Sequence, residues 1–282
     1  MTGDAGKTHA MRQIYVEQAF TMPADQNYLL ARIAFSRSLI FDGYWAAAQA
    51  TEKYLKAALL LNGFDALDTH ELVGLFDKLK LKVPLAIIPD EFLRFPNSET
   101  LQEVGFSWGS NSIRYFVSHL GVYGSPDNRY ARNGYQFDFY VLPKLDQLIY
   151  FLRRNCRTLS ADNPAHKDIA NWKLGAAMPL ETHTVKKEWA AEKDNQLVDD
   201  FLTGNAIWQS IISGGGVEVG LQPMMALQQS AYGAAVLSLE CSRKDKIEFN
   251  KWLLSNVRLN KRDKASIRNE ITRLETEDDR KV

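Results

Sequence analysis

The chain has only two cysteines, Cys156 and Cys241, in 282 residues. Two thiols cannot build a disulfide framework or complete a zinc site alone, which points to a reducing cytoplasm. It also has no excess charge: 34 Lys and Arg stand against 34 Asp and Glu. The global positive field that gathers a polyanion is absent, so any phosphate contact must come from a local patch. It has no long apolar run. The strongest, at 57–61, falls far short of the roughly 20 residues a membrane helix needs. The polar start MTGDAGKTHAMRQ lacks an apolar secretory core. A soluble protein off the membrane is therefore expected. His9, His166 and His183 show no metal-ligand spacing, and no metal or other cofactor is implied. No strand-length alternation and no internal repeat is present, which excludes β and solenoid classes.

What is there is helical periodicity, with 45% apolar residues to build a core. A short helix is expected at 11–20, ending before Pro23. From Asn27 the period is clear, with Leu29, Ile33, Ser36 and Ile40 in one row and Leu30, Ala34, Arg37 and Phe41 beside it. Asp42-Gly43 reads as an interruption. The next helix begins near Tyr44 and buries Tyr44, Ala47, Ala48, Thr51, Tyr54, Leu55, Ala58 and Leu59. Glu52 and Lys56 sit on another face at the favourable i,i+4 spacing. Alanines 46, 47, 48 and 50 permit close helix approach, and Asn62-Gly63 supplies a left-handed stop. Thr69 can cap a third helix that buries Leu72, Leu75, Phe76 and Leu79. Further helices are read at 112–120, 138–157, 184–213, 223–241, 245–257 and 262–276. Residues 159–180 read as a linker between a domain at 1–158 and a helical region at 181–282.

The residues at 43–72 carry a signature: Gly-Tyr-x-x-Ala-x-x-x-Ala-x-Glu-Lys-x-Leu-Lys-Ala, then Asn62-Gly63, then His70-Glu71-Leu72. This pattern resembles the HEPN family of all-α domains, many of which cut or bind RNA. The resemblance spans roughly 27–158 and leaves the C-terminal half unassigned. It implies an all-α HEPN-like bundle and a homodimer, and the helical period beyond it adds a C-terminal helical extension or second helical domain. The apolar faces of the Ala-rich helix suggest a homodimer as well. It also implies a role for Arg114-Tyr-Phe-Val-Ser-His119, since nuclease members carry an Arg followed four to six residues later by a His. The chemistry fits those types. Cutting RNA without metal needs a near-neutral group to move a proton, and His suits that. It also needs a fixed cation for the crowded phosphate, and Arg suits that. On a straight helix, side chains at i and i+5 point about 140° apart, so they converge only through distortion or a second copy. Relatives without nuclease activity show an Arg-Tyr pair, which Arg114-Tyr115 matches.

Around it, Tyr123, Arg129, Tyr130, Arg132 and Tyr135 alternate rings with cations. That composition suits a platform for stacked bases and phosphates, and equally a loop anchored by its rings. His70 reads as a capping or packing residue. Gly6-Lys7-Thr8 ends like a phosphate loop, but the place of that motif's first Gly is Met1. Residues 243–268 hold nine Lys or Arg and three acids, a net +6. Such a run is a solvated helix face or a phosphate-facing surface.

The expectation is therefore an RNA-directed protein, with Arg114 and His119 as catalytic candidates. Tyr115, Arg129, Tyr130, Arg132 and Tyr135 are the candidates for RNA or nucleotide contact. In its strong form it is a metal-independent endoribonuclease leaving a cyclic phosphate and a 5′-hydroxyl; the resemblance implies a toxin–antitoxin or defence setting. The alternatives are a non-catalytic module that binds nucleotide, RNA or a partner such as a nucleotidyltransferase, and a helical adaptor that meets another protein through its C-terminal helices.

Overall fold

The computed structural model describes residues 3–36, 38–66, 70–86, 88–92, 109–130, 134–135, 141–160, 230–237, 239 and 241–276. Residues 161–180 of the expected linker and the expected helix at 184–213 lie outside them, as do Thr69, His166 and His183. The fold is all-α. In order come α1 (Gly3–Val16), a π-turn (Glu17–Thr21), α2 (Met22–Ser36), α3 (Ile40–Leu61) and α4 (Leu72–Lys82). Then follow α5 (Ile113–Tyr123), a 3-10 turn (Pro126–Tyr130), α6 (Val141–Arg154), α7 (Ala231–Leu237), α8 (Arg243–Asn256) and α9 (Lys261–Thr276). The described residues hold no strand, only an isolated bridge between Glu91 and Ser112. None of their helices is long and apolar enough to cross a membrane.

α3 is the axis of the first bundle. It packs against α1, α2, α4, α5 and α6, so it is buried on almost every side. Tyr44, Ala47, Thr51, Tyr54, Leu55, Ala58 and Leu59 are all at 0% exposure. Small side chains let neighbours close in: a Cβ on Gly124 would stand 2.4 Å from the Cβ of Ala48 and 2.4 Å from the Tyr44 carbonyl. Glu52 and Lys56 are buried too, and they meet at 2.7 Å. On α4, Leu72, Leu75, Phe76 and Leu79 face the core as their spacing predicts.

The first two helices differ from expectation. α1 starts at Gly3, and Pro23 does not end a helix. Proline lacks an N–H and crowds the carbonyl four residues back. The wider π-turn just before it, with the Met22 N–H bonded to the Glu17 carbonyl, carries the chain into α2. The interruption expected at Asp42-Gly43 lies earlier. α3 runs through both residues, and the break is at Ser38, whose φ is 59°. α2 buries Ala24, Tyr28, Ala31 and Phe35, while Leu30 faces solvent.

The C-terminal helices pack on the first bundle through α1, which touches both α7 and α8. Tyr15 of α1 meets Phe249 at 6.0 Å and Trp252 at 6.3 Å, both edge-on. Thr8 donates to Asp245 at 3.2 Å. The Ala66 N–H reaches the Asn256 carbonyl at 3.2 Å.

Candidate functional site

α5 is held at its start. The Ser112 hydroxyl accepts from the Tyr115 N–H, and the Ile113 N–H donates to the Asp90 carbonyl at 2.9 Å. Its buried residues, Ile113, Phe116, Val117 and Leu120, repeat at helical spacing and seat it on α3 and α4. Leu72 lies near Gly121 and Asp77 near Arg114, so α4 and α5 run antiparallel. That seating turns Tyr115 and Val122 outward, at 57% and 48% exposure. Arg114 and His119 flank the outward strip, about 140° apart on the helical wheel.

Each of the two is oriented by a different helix. The Arg114 fork closes on Asp77 of α4, Nε to Oδ1 at 2.9 Å and Nη2 to Oδ2 at 2.8 Å. Nη1 makes no hydrogen bond within the described residues, and the side chain is 59% exposed. The hydrogen bond from Arg114 holds the Asp77 carboxyl below its ordinary pKa, and Asp77 raises that of Arg114 in return. His119 turns the other way, to α3. Its Nε2 lies 3.0 Å from the Tyr44 hydroxyl. Its ring sits among Tyr123 at 4.5 Å, Tyr44 at 5.2 Å and Phe116 at 6.2 Å.

The surrounding platform divides. Tyr123 is the last residue of α5 and packs inward on Tyr44 at 5.6 Å. Tyr135 is 49% exposed and meets Phe41 edge-on at 5.2 Å. The side chains of Arg129 and Tyr130, and all of Arg132, lie outside the described residues. His70 places Nδ1 2.8 Å from Glu52, beside Lys56. That contact ties the start of α4 to α3.

Asp77 and the hydroxyl of Tyr44 are the participants that sequence reasoning missed. Tyr44 was visible as part of the Gly-Tyr signature, though only as a packing residue. Nothing in the periodicity of α4 marks Asp77. Two polar clusters within the fold were also not foreseen. Arg32 of α2 pairs with Asp146 of α6, which Tyr28 also joins, all buried. Arg153 reaches Asp25 at 3.1 Å, and Tyr54 bonds the same carboxylate.

A separate cavity of about 780 Å³ lies among the C-terminal helices, lined by Tyr15, Tyr232, Leu253, Ile267, Glu270 and Arg273 among others. It shares no lining residue with α5. Among the described residues no group of three His, Cys, Asp or Glu is placed to hold a metal ion. In comparison with known proteins, the chain matches no family model, no curated protein and no solved structure.

Proposed function

We propose that this chain is a HEPN-like, RNA-directed cytoplasmic protein that works as a metal-independent endoribonuclease. One observation carries the reading. Arg114 and His119 flank one outward strip of α5, and each is oriented by a fixed partner, Asp77 and Tyr44. A cleavage of this kind takes its nucleophile from the RNA itself, so it needs an oriented proton carrier and an oriented cation rather than a covalent enzyme intermediate. The RNA 2′-hydroxyl attacks the adjacent phosphorus, and the bond from phosphorus to the 5′ oxygen breaks. A proton leaves the 2′-hydroxyl, and another is delivered to the departing 5′ oxygen. His119 handles proton transfer, and Arg114 balances the charge on the phosphate. Because the two residues diverge on one helix, a second copy facing the Tyr115–Val122 strip completes the site, which makes the working form a homodimer.

The second reading is a non-catalytic binding module, in which Arg114, Tyr115 and Tyr135 hold RNA or a nucleotide. The exposed rings of Tyr115 and Tyr135 favour it, at 57% and 49% exposure, because an open ring face is what a stacked base needs. Labelled single-stranded RNA and tRNA in EDTA separate the two. Under the nuclease reading the protein cuts, and His119→Ala slows cutting by about a hundredfold or more. RNA that is bound but never cut removes the nuclease reading and leaves the module. Cutting that survives both His119→Ala and Arg114→Ala assigns the activity elsewhere.

A further inference from the structure

The turn between α8 and α9 and the first half of α9 carry five cations: Arg258, Lys261, Arg262, Lys264 and Arg268. Four are exposed and Lys264 is half-buried. None of them forms an ion pair within the described residues. Several cations elsewhere are matched, as in Arg114 with Asp77, Lys78 with Asp65, Arg153 with Asp25 and Lys251 with Glu275. The one acid between 257 and 268 is Asp263, and it is engaged locally. Its N–H donates to the Asn260 side chain at 2.8 Å, and the Asn260 amide donates back to its carboxylate at 2.9 Å.

This arrangement works against the helix that carries it. The N-terminal end of a helix dipole is positive and disfavours cations. Lys261 and Lys264 repel at i,i+3, as do Lys264 and Arg268 at i,i+4. The helix cannot rotate away from the conflict, because Ile267, Ile271 and Leu274 hold one face in the core. Lys261, Lys264 and Arg268 therefore stay aligned in a row about 10 Å long beside that buried face, with Lys264 half-buried and the other two exposed. An anionic partner relieves all of these terms at once. Exposed Ala265, Ser266 and Asn269 lie among the cations, and α9 exposes no large apolar side chain. A membrane-surface helix would carry an apolar face of Trp, Phe or Leu, so a bilayer is the poorer fit.

We propose that this face of α9 is an RNA phosphate-backbone contact, a second and sequence-independent anchor for the RNA that α5 engages. It rests on the RNA-directed reading above. Its contribution is ionic, so it shows in salt dependence more than in base preference.

Fluorescence anisotropy of labelled single-stranded RNA, titrated across a series of KCl concentrations, tests it. The proteins compared are the full chain, the triple variant K261Q/K264Q/R268Q, and R114A. The triple variant is expected to bind roughly tenfold more weakly at low salt, with the slope of log K against log salt reduced by about 2 for three lost phosphates. Its melting temperature should stay level or rise, which separates lost contact from lost fold. A triple variant with unchanged affinity and slope, while R114A binds worse, overturns the α9 contact and leaves the RNA reading standing. Wild-type protein that ignores RNA at low salt but binds phosphatidylserine vesicles overturns both.

Discussion

The Arg114–Asp77 pair makes the chemistry of α5 a question of competition. A phosphate approaching Arg114 meets a fork whose Nε and Nη2 edges already hold a carboxylate. Both side chains are largely exposed, at 59% and 46%, and exposed pairs contribute little to folding. Asp77→Ala should therefore leave the melting temperature nearly unchanged while tightening RNA binding by roughly fivefold at low salt, since one nearby repelling charge is gone. Isothermal titration with a short RNA reads this directly; weaker binding instead would mean that losing the orientation Asp77 gives the guanidinium outweighs the repulsion it removes. At this scale Arg114 and His119 were readable as candidates through the family resemblance, because a short motif on one helix is a local pattern. Their partners were not. Asp77 lies 37 residues away and Tyr44 lies 75 away, so those contacts exist only after α3, α4 and α5 have packed.

Helix ends show which physical signals survive in a sequence. α3 stops at Gly63, whose φ is +85°, with the Phe64 N–H bonded to the Leu59 carbonyl and the Gly63 N–H to that of Leu60. That is a Schellman closure with the residue it usually takes, and Asn62-Gly63 announces it. α2 ends in the same way: the Leu39 N–H bonds the Ala34 carbonyl and the Ser38 N–H bonds that of Phe35. Here the left-handed position is occupied by a serine, so the search for a glycine fell on Gly43, which is inside α3. Ser38→Gly should stabilise the protein by about 1 kcal/mol, because glycine holds that conformation without the Cβ clash. A denaturant midpoint that falls in the variant would mean the Ser38 side chain makes up for its backbone.

The start of α8 is capped reciprocally. Ser242 accepts from the Asp245 N–H, and Asp245 accepts from the Ser242 N–H at 2.9 Å. Burial raises the Asp245 pKa, but bonds from Ser242 and Thr8 outweigh it and leave the carboxyl below its ordinary 3.8. A depressed folded pKa gives stability that is complete above the ordinary value and lost as pH falls through the lowered one. Asp245→Asn should therefore cost about 1 kcal/mol near neutrality. The gap between variant and wild type should close in urea melts taken below about pH 4. A gap that persists unchanged in acid would assign the loss to packing.

At the scale of the whole molecule, α1 is the joint. It touches α3 on one side and α7 and α8 on the other, so the N-terminal and C-terminal helices share one packed element. Phe249, at 0% exposure, is the centre of that joint, with Tyr15 at 6.0 Å, Trp252 at 6.0 Å and Tyr232 at 6.2 Å. α8 was legible from its period, whereas this joint was not, because periodicity marks which face is buried and says nothing of what covers it. Phe249→Ala removes the ring on which these neighbours converge, and should cost about 3–5 kcal/mol. The loss should not stay in α8. If the two halves unfold as one unit, hydrogen exchange followed by mass spectrometry will show α1, α8 and α3 losing protection together, by the same free energy. Loss confined to α7, α8 and α9, with α3 as protected as in wild type, would show instead that the C-terminal helices open on their own. In that case the α9 cations could change their distance from α5 without disturbing the bundle that holds Arg114 and His119.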